Sequence, residues 1–334
     1  MQKKPDINMD KQDNTLLSIK NLSVGFYTDE GEIVAVNDVS YDIERGKTLA
    51  VVGESGCGKS VTAMTAMKLI PSPPGRILGG SIKFKGVEVT TAGEKQMRKL
   101  RGNEIAMIFQ EPMTSLNPVY TIGEQIAEAI ELHQNLKGDQ AWTKAVEMLD
   151  KVGIAEPAKR AWDYPHQMSG GMRQRVMIAM AISCEPALLI ADEPTTALDV
   201  TIQAQILELL RQLQETNNMS ILLITHDLGV VAENAHDVVV MYASKIVEKA
   251  DINSLFSKPM HPYTMGLLRS LPKLDEDSTR LETIAGAVPN PSNFPPGCKF
   301  HPRCPHCMDI CRSEEPQLVE IEPGRHTACW LYCK

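Results

Sequence analysis

The stretch from Gly53 to Ser60 has the residue types and spacing that most directly predict chemistry. Its letters, Gly-Glu-Ser-Gly-Cys-Gly-Lys-Ser, satisfy the phosphate-loop pattern G-x-x-x-x-G-K-[ST]. Small residues let backbone N–H groups close around phosphate oxygens at a helix N-terminus. In such a loop the Lys59 ammonium meets the β- and γ-phosphates, and the Ser60 hydroxyl holds Mg²⁺. The predicted nucleotide contacts are Gly53, Ser55, Gly56, Cys57, Gly58, Lys59, Ser60 and Val61.

Four further polar residues stand at the ends of apolar runs, where buried strands are expected to end. They are Gln110, Asp192, Glu193 and His226. Ligands of a parallel sheet bind at the carboxyl ends of its strands, so all four are expected near the phosphate loop. The alternative for the two carboxylates is a salt bridge at a strand end, and the histidine alone could be a structural residue.

The elements that must position these residues alternate between strands and helices. Residues 48–52 form an apolar β-branched run before the loop, and residues 61–70 are predicted to form the helix after it. Such alternation predicts an α/β fold with a parallel sheet. The remaining predictions are half-buried strands at 16–24, 33–36 and 39–43, a hairpin at 79–86, helices at 122–130, 141–149 and 173–182, and strands at 105–110, 187–194 and 221–226.

Length and composition are those of an ordinary globular protein. The 334 residues leave room for about two domains, with 43% hydrophobic and 23% charged residues. The net charge of −8 supplies no global attraction for nucleic acid. Residues 1–14 are polar, lack an apolar signal region and are predicted to be a disordered lead. No run of 18 apolar residues predicts a membrane span, so membrane attachment would need a partner.

The cysteines are concentrated near the end of the chain. Two are isolated, Cys57 and Cys184, and six lie after residue 297, namely Cys298, Cys304, Cys307, Cys311, Cys329 and Cys333. Three interpretations follow from the residues. Disulfides are disfavoured in the reducing compartment that an ATP site indicates. Zinc fits the Cys304–Cys307 spacing beside several histidines. Four thiolates could also hold an iron–sulfur cluster.

Taken in order, these motifs resemble the nucleotide-binding subunits of ABC transporters across residues 15–250. The matches are Gly53–Ser60 to Walker A, Gln110 to the Q-loop, Ser169–Gly171 to the signature motif, Leu189–Glu193 to Walker B, Thr196–Asp199 to the D-loop, and His226 to the switch histidine. The resemblance implies an ABC-type nucleotide-binding domain with a RecA-like parallel sheet core, an antiparallel β-subdomain and a helical subdomain. We predict this domain at 15–254, its helical subdomain at about 92–165, and a C-terminal cysteine-rich extension at 255–334.

The activity that the resemblance implies is ATP hydrolysis, a phosphoryl transfer that depends on positioning and charge neutralisation. Asp192 is predicted to hold Mg²⁺, directly or through water. Glu193 is predicted to act as the general base on the attacking water, and His226 to orient that water and the γ-phosphate. Gln110 would complete the shell around Mg²⁺ and the water.

Two further sets of nucleotide contacts are predicted. By resemblance, Ser169, Gly170, Gly171 and Asp199 contact ATP held by an opposing subunit, so that two chains close over two nucleotides. Many family members have Gln where this chain has Met172, which removes a polar group from that contact. Phe26 or its neighbour Tyr27 could stack on adenine, although packing on a sheet edge explains either aromatic equally well.

Four stretches resemble the oligopeptide/dipeptide importer ATPases more specifically. They are Glu111–Pro118, Tyr164–Val176, His261–Thr264 and Pro296–Pro305. The resemblance implies that 111–119 faces a permease. It also implies that Cys298, Cys304, Cys311 and Cys329 ligate a [4Fe–4S] cluster, with Cys307 and Cys333 as spares.

The expected assembly follows from this resemblance. A second, distinct ATPase, two permeases and an extracytoplasmic peptide-binding protein are implied, with this chain peripheral on the cytoplasmic face of a bacterial membrane. An importer of nickel, glutathione or oligosaccharide remains an alternative, because the substrate never touches this chain. A non-transport ABC ATPase that acts on nucleic acid or ribosomes is a second alternative, against which the acidic charge counts.

Overall fold

The structure is a computed structural model that describes residues 14–29, 31–110, 115–196, 198–271 and 283–333. The strands within these ranges are β1 Thr15–Thr28, β2 Gly31–Glu44, β3 Thr48–Val52, β4 Gly75–Phe84, β5 Val87–Glu88, β6 Ile105–Ile108, β7 Leu188–Asp192, β8 Ser220–Thr225, β9 Asp237–Tyr242, β10 Lys245–Asp251, β11 Val319–Glu322 and β12 Arg325–Thr327. The α-helices are α1 Lys59–Ala66, α2 Glu94–Leu100, α3 Ile122–His133, α4 Asp139–Lys151, α5 Pro157–Arg160, α6 Gly170–Ile182, α7 Val200–Asn217, α8 Leu228–Asn234, α9 Ile252–Ser257, α10 Pro262–Arg269 and α11 Asp309–Ser313. Among the described residues, no helix is long and apolar enough to span a membrane.

The larger sheet has the strand order β11-β12-β10-β9-β3-β8-β7-β6. Strands β9, β3, β8, β7 and β6 run parallel to one another, and β3 lies between β9 and β8. All residues of β3, β7 and β8 are buried, as continuous apolar runs of a parallel sheet require. The predicted α/β fold with a parallel core is therefore confirmed.

The smaller sheet is antiparallel, with the order β2-β1-β4-β5. The two strands predicted at 33–36 and 39–43 form the single strand β2, which pairs with β1 along most of its length. Register shifts in that pairing and the positive φ of 56° at Asp38 let the strand continue through the polar break in its pattern. The sequence alone suggested an interruption there.

Helices α3, α4 and α6 pack around a shared apolar core that includes Ile126, Leu149 and Ile178, all fully buried. Helix α3 begins with a capping box, in which Thr121 and Glu124 satisfy each other's backbone N–H groups. The strand predicted at 105–110, within the mainly helical stretch that begins at about residue 92, is β6, which pairs with β7 and belongs to the larger sheet. The limits of about 92–165 for a helical subdomain remain a prediction.

The C-terminal residues join the larger sheet. Strand β12 pairs with β10, so the sheet continues past the domain boundary predicted after residue 254. Phe300 also packs between Tyr242 and Tyr263, with ring centroids 5.2 and 5.5 Å away. The boundary itself remains a prediction, but the apolar core is continuous across it.

A buried histidine in this shared core makes stability depend on pH. His261 is 1% exposed, and its Nδ1 accepts the backbone N–H of Tyr263 at the start of α10. Burial lowers its pKa from 6.5 to about 3. The unfolded chain binds a proton below about pH 6.5 that the folded chain does not bind until about pH 3, so stability is lost as pH falls through that window.

We expect His261→Asn to reduce this acid sensitivity, because asparagine can cap the helix without titrating. Between about pH 7.5 and pH 5, the original chain should lose about 2 kcal/mol more than the variant. The measurement is urea unfolding of both proteins at both pH values. Other titrating groups, including Glu248 whose pKa burial raises, are common to both proteins. Equal losses in the two proteins would contradict the assignment.

Candidate nucleotide site

The loop between β3 and α1 is pressed between two other segments. A Cβ on Gly53 would lie 2.2 Å from the carbonyl oxygen of Met241, and one on Gly58 would lie 2.3 Å from that of Ala35. Both glycines also have positive φ, 153° and 99°. Any side chain at either position would therefore clash with backbone and strain the loop. Ser55 and Gly56 form the exposed side of the loop.

Lys59 lies inside this loop and is only 6% exposed. Its Nζ donates to the carbonyl oxygens of Gly53, at 2.7 Å, and Glu54, at 3.1 Å, and lies 3.9 Å from the Cys57 sulfur. Lys59 is also the first residue of α1. A buried ammonium and a helix N-terminus thus meet in one loop, which is an arrangement suited to an anion.

Two side chains with oxygen atoms that could ligate a metal ion meet next to the loop. The Ser60 hydroxyl donates to Oδ1 of Asp192 at 3.0 Å, which brings the start of α1 to the end of β7. Asp192 is 5% exposed, and its burial, with a smaller contribution from the charge of Glu193, raises the pKa of its carboxyl. Hydroxyl and carboxylate oxygens fit Mg²⁺, whose positive charge would offset the cost of a buried carboxylate.

Glu193 is the point where several elements converge. Its Oε2 accepts from Nε2 of Gln110 at 2.8 Å and from the hydroxyl of Thr196 at 3.0 Å, and its Oε1 lies 3.4 Å from Nδ1 of His226. The three residues that the sequence placed at different strand ends, Gln110, Glu193 and His226, therefore lie together. The sequence analysis named Thr196 only as the first residue of the D-loop match and did not predict its contact with Glu193. The sequence feature that could have indicated this contact is a hydroxyl side chain three positions after the carboxylate, in the turn that begins at the end of β7.

The signature and D-loop residues face each other. Ser169 caps α6 by accepting the N–H of Met172 at 3.3 Å, and a Cβ on Gly171 would lie 2.9 Å from Ile202. A Cβ on Gly170 would lie 3.9 Å from the side chain of Leu198. Asp199 caps α7, its Oδ1 accepting the N–H of Ile202 at 3.0 Å. The two glycines thus lie against the D-loop and the start of α7, while Ser169 and Asp199 each cap their own helix.

The two aromatic candidates for adenine differ in exposure. Phe26 is partly buried against the core beneath β1, whereas Tyr27 is 50% exposed. Stacking by Phe26 remains a prediction. Residues 111–114, the first part of the predicted permease-facing stretch 111–119, lie outside the described residues. Of its remainder, Val119 is 70% exposed, and Tyr120 beside it is 53% exposed.

The four cysteines predicted as cluster ligands border one cavity, together with Phe300 and Trp330. They are Cys298, Cys304, Cys311 and Cys329. Burial, reinforced by the neighbouring thiols, raises the pKa of Cys298 to about 11 and that of Cys329 to about 12. Among the described residues, no three or more His, Cys, Asp or Glu side chains are grouped closely enough to hold a metal ion.

Two family models match the sequence. One, described as "ABC transporter", matches residues 36–196, and the other, "Oligopeptide/dipeptide transporter, C-terminal region", matches residues 247–311. The first contains the phosphate loop and both carboxylates. The second begins in β10 and ends at Cys311.

Similar proteins match almost the whole chain. The oligopeptide transport ATP-binding protein AppD of Bacillus subtilis (strain 168) is 53% identical, over 96% of this chain and 97% of its own. The dipeptide transport ATP-binding protein DppD of Escherichia coli (strain K12) is 51% identical, over 94% of this chain and 96% of its own.

One solved structure shares the fold of the core. It is a dimer of the ATP-binding cassette MJ0796 in a post-hydrolysis state bound to ADP and Pi, with a TM-score of 0.64 and 25% identity, covering 71% of this chain and 99% of that one.

Proposed function

Because the chain belongs to the ATP-binding subunits of ABC transporters, in the oligopeptide/dipeptide group, we propose that it hydrolyses ATP to drive peptide import into a bacterial cell. The observation that carries this proposal is the near full-length identity to AppD and DppD, which extends through the transporter-specific C-terminal region. The geometry around Lys59 and Glu193 supports the ATPase chemistry.

ATP would bind with its β- and γ-phosphates in the loop. Backbone N–H groups from Gly53 to Val61 and the Lys59 ammonium would neutralise their charge. Ser60 and Asp192 would hold Mg²⁺, which would supply positive charge against the charge that develops on the phosphates during the reaction. Phe26 is proposed to contact adenine.

Glu193 is proposed to accept a proton from the attacking water. Its carboxylate is oriented by Gln110 and Thr196 on one oxygen and by His226 on the other. Water then attacks the γ-phosphorus, the bond to the ADP oxygen breaks, and His226 steadies the water and the γ-phosphate. Since water, and not a side chain, is the nucleophile in this mechanism, the residues of the site act by position and charge.

Replacing Glu193 with Gln should lower ATP turnover by about 10²- to 10⁴-fold, because the base is lost while the side-chain shape remains. ATP binding should persist, so the variant should accumulate as an ATP-bound dimer in size-exclusion chromatography. The matched control is Glu185→Gln, an exposed carboxylate in the turn after α6, which should keep turnover within about twofold. Turnover of Glu193→Gln equal to the control would remove Glu193 from the role of base.

Two ATPase chains are proposed to close over two nucleotides, with Ser169, Gly170, Gly171 and Asp199 of one facing ATP on the other. The support is that Ser169 and Asp199 are both exposed, which leaves them accessible to another chain. The similar cassette MJ0796 is a dimer bound to ADP and Pi.

The chain is proposed to work on the cytoplasmic face of the membrane with a second, distinct ATPase, two permeases and an extracytoplasmic binding protein. The exposed Val119 is the last residue of the stretch that would contact a permease, and the exposed Tyr120 follows it directly. The names of the relatives favour peptides over nickel, glutathione or oligosaccharide as the substrate. The net charge of −8 disfavours nucleic acid as a partner.

A tagged copy of the chain, purified in detergent from membranes, should bring two permeases and a second ATPase with it. The copurifying complex, reconstituted with its binding protein, should take up labelled dipeptide or oligopeptide only with ATP. Nickel, glutathione or an oligosaccharide in place of peptide serves as the control substrate. Recovery with ribosomes or DNA and without permeases would contradict the transport function.

The cavity bordered by Cys298, Cys304, Cys311 and Cys329 is proposed to hold a [4Fe–4S] cluster, with zinc as the alternative occupant. Four thiols border one cavity, which is the number of ligands that such a cluster needs, and cluster binding would have to draw them closer together than they lie in the structure. Cys307 and Cys333 are not among the residues that border this cavity, and their thiols donate to the backbone carbonyls of Met308 and Gln317, which supports their being spares. The cluster would crosslink the C-terminal segment and has a structural role in this proposal.

Anaerobically purified protein should contain about four iron and four acid-labile sulfide per chain and absorb broadly in the blue. Cys304→Ser should lose both iron and sulfide, because one ligand of the cluster is gone. Cys307→Ser, a substitution in the same segment, should keep them. Protein that contains zinc without sulfide, or no metal at all, would contradict the cluster.

A further inference from the structure

Glu54, the second residue of the phosphate loop, is held by two residues from the C-terminal part of the chain. Nη1 of Arg303 lies 3.1 Å from both carboxylate oxygens of Glu54. The backbone N–H of Glu54 donates to the hydroxyl oxygen of Tyr263 at 2.9 Å. Both the side chain and the main chain of one loop residue are therefore fixed from outside the loop's own sheet and helix.

Arg303 is itself rigidly placed. Its side chain is 6% exposed, and it donates through Nε to the carbonyl of Ala285 at 3.0 Å and through Nη2 to that of Ile284 at 3.3 Å. The guanidinium also lies 5.8 Å from the ring centroid of Tyr242. A planar guanidinium whose nitrogens are engaged in different directions has a single orientation, so it can transmit a defined position to Glu54.

The location of Glu54 makes this contact matter for phosphate binding. The carbonyl oxygen of Glu54 accepts from Nζ of Lys59 at 3.1 Å, and Gly53 precedes it in the loop. An unpaired carboxylate here would repel phosphate groups and could draw the Lys59 ammonium away from them. Arg303 both neutralises that charge and fixes the backbone that supplies N–H donors.

We propose that Arg303 is a positioning residue for the ATP site, acting through Glu54, and that the C-terminal segment thereby controls the affinity of the phosphate loop for ATP. This inference rests on the proposed nucleotide site. It assigns a task to residues beyond the ATPase motifs, since Arg303 lies in the turn 301–303 directly before Cys304. It needs no cluster in the cysteine cavity.

The test is a double-mutant cycle in the detergent-purified transporter complex, with Arg303→Ala, Glu54→Gln and the double variant. Affinity for a fluorescent methylanthraniloyl-ATP with Mg²⁺ is titrated, and thermal unfolding and kcat are recorded in parallel. Arg325→Ala is the matched control, because Arg325 is 7% exposed and pairs with Glu322 at 2.7 Å within the C-terminal segment, away from the loop. Lys59→Ala tests the nucleotide site itself.

Arg303→Ala should weaken nucleotide binding by about tenfold, since misplacing a binding group by a fraction of an ångström has effects of this order. The effect should fall on affinity and KM more than on kcat. In the Glu54→Gln background, Arg303→Ala should change nucleotide affinity by less than about twofold. The loss of Arg303 harms binding by leaving the Glu54 carboxylate unpaired, and Gln at position 54 has no charge to leave unpaired. Arg325→Ala should lower thermal stability and leave nucleotide affinity unchanged.

Undiminished binding by Lys59→Ala would overturn the nucleotide site and the inference together. If Lys59→Ala loses binding while Arg303→Ala binds normally, only the inference fails. Equal losses of affinity in Arg303→Ala and Arg325→Ala would show a general structural effect and would also overturn it. An effect of Arg303→Ala that is the same with Glu54 and with Gln at that position would exclude Glu54 as the intermediary.

Discussion

The tight packing of the phosphate loop is the constraint on which the rest of the structure depends. The loop fits between the carbonyl oxygens of Met241 and Ala35, where neither Gly53 nor Gly58 has space for a side chain. Met241 belongs to β9 of the larger sheet and Ala35 to β2 of the smaller one. The two sheets must therefore meet at this loop for it to keep its shape. Because the loop is closed from two sides, the surrounding chain itself restricts the shape of its backbone.

The second requirement is the convergence of charge at the carboxyl ends of the parallel strands. Adjacent strands β6, β7 and β8 deliver Gln110, the pair Asp192 and Glu193, and His226 to one edge of the sheet. The buried carboxyl of Asp192 has a raised pKa, so it is poised to gain from a cation. The hydrogen bonds to Glu193 fix the direction of its carboxylate. The sheet thus places two acids one residue apart in different surroundings, and the proposed function assigns one to Mg²⁺ and the other to the attacking water.

The C-terminal segment is part of the same physical unit. Strand β12 extends the larger sheet beside β10, and Phe300 fills a core shared with Tyr242 and Tyr263. The aromatic contacts bring Arg303 within reach of Glu54. From the sequence, the C-terminal segment looks like a separate cysteine-rich extension. In the structure it is joined to the ATP site by packed aromatic rings, paired strands and one ion pair.

The sequence by itself determined the parallel core, the phosphate loop and the identity of the residues around Glu193, because these depend on short patterns with local physical causes. An apolar run followed by glycines or carboxylates has few structural alternatives. It did not determine that 33–43 would be one bulged strand, that Thr196 would orient Glu193, or that Arg303 would reach a residue 249 positions earlier in the chain. Those contacts join segments far apart in the chain, and no local propensity encodes them. Only the tertiary structure decided them, since close packing selects which distant polar groups meet.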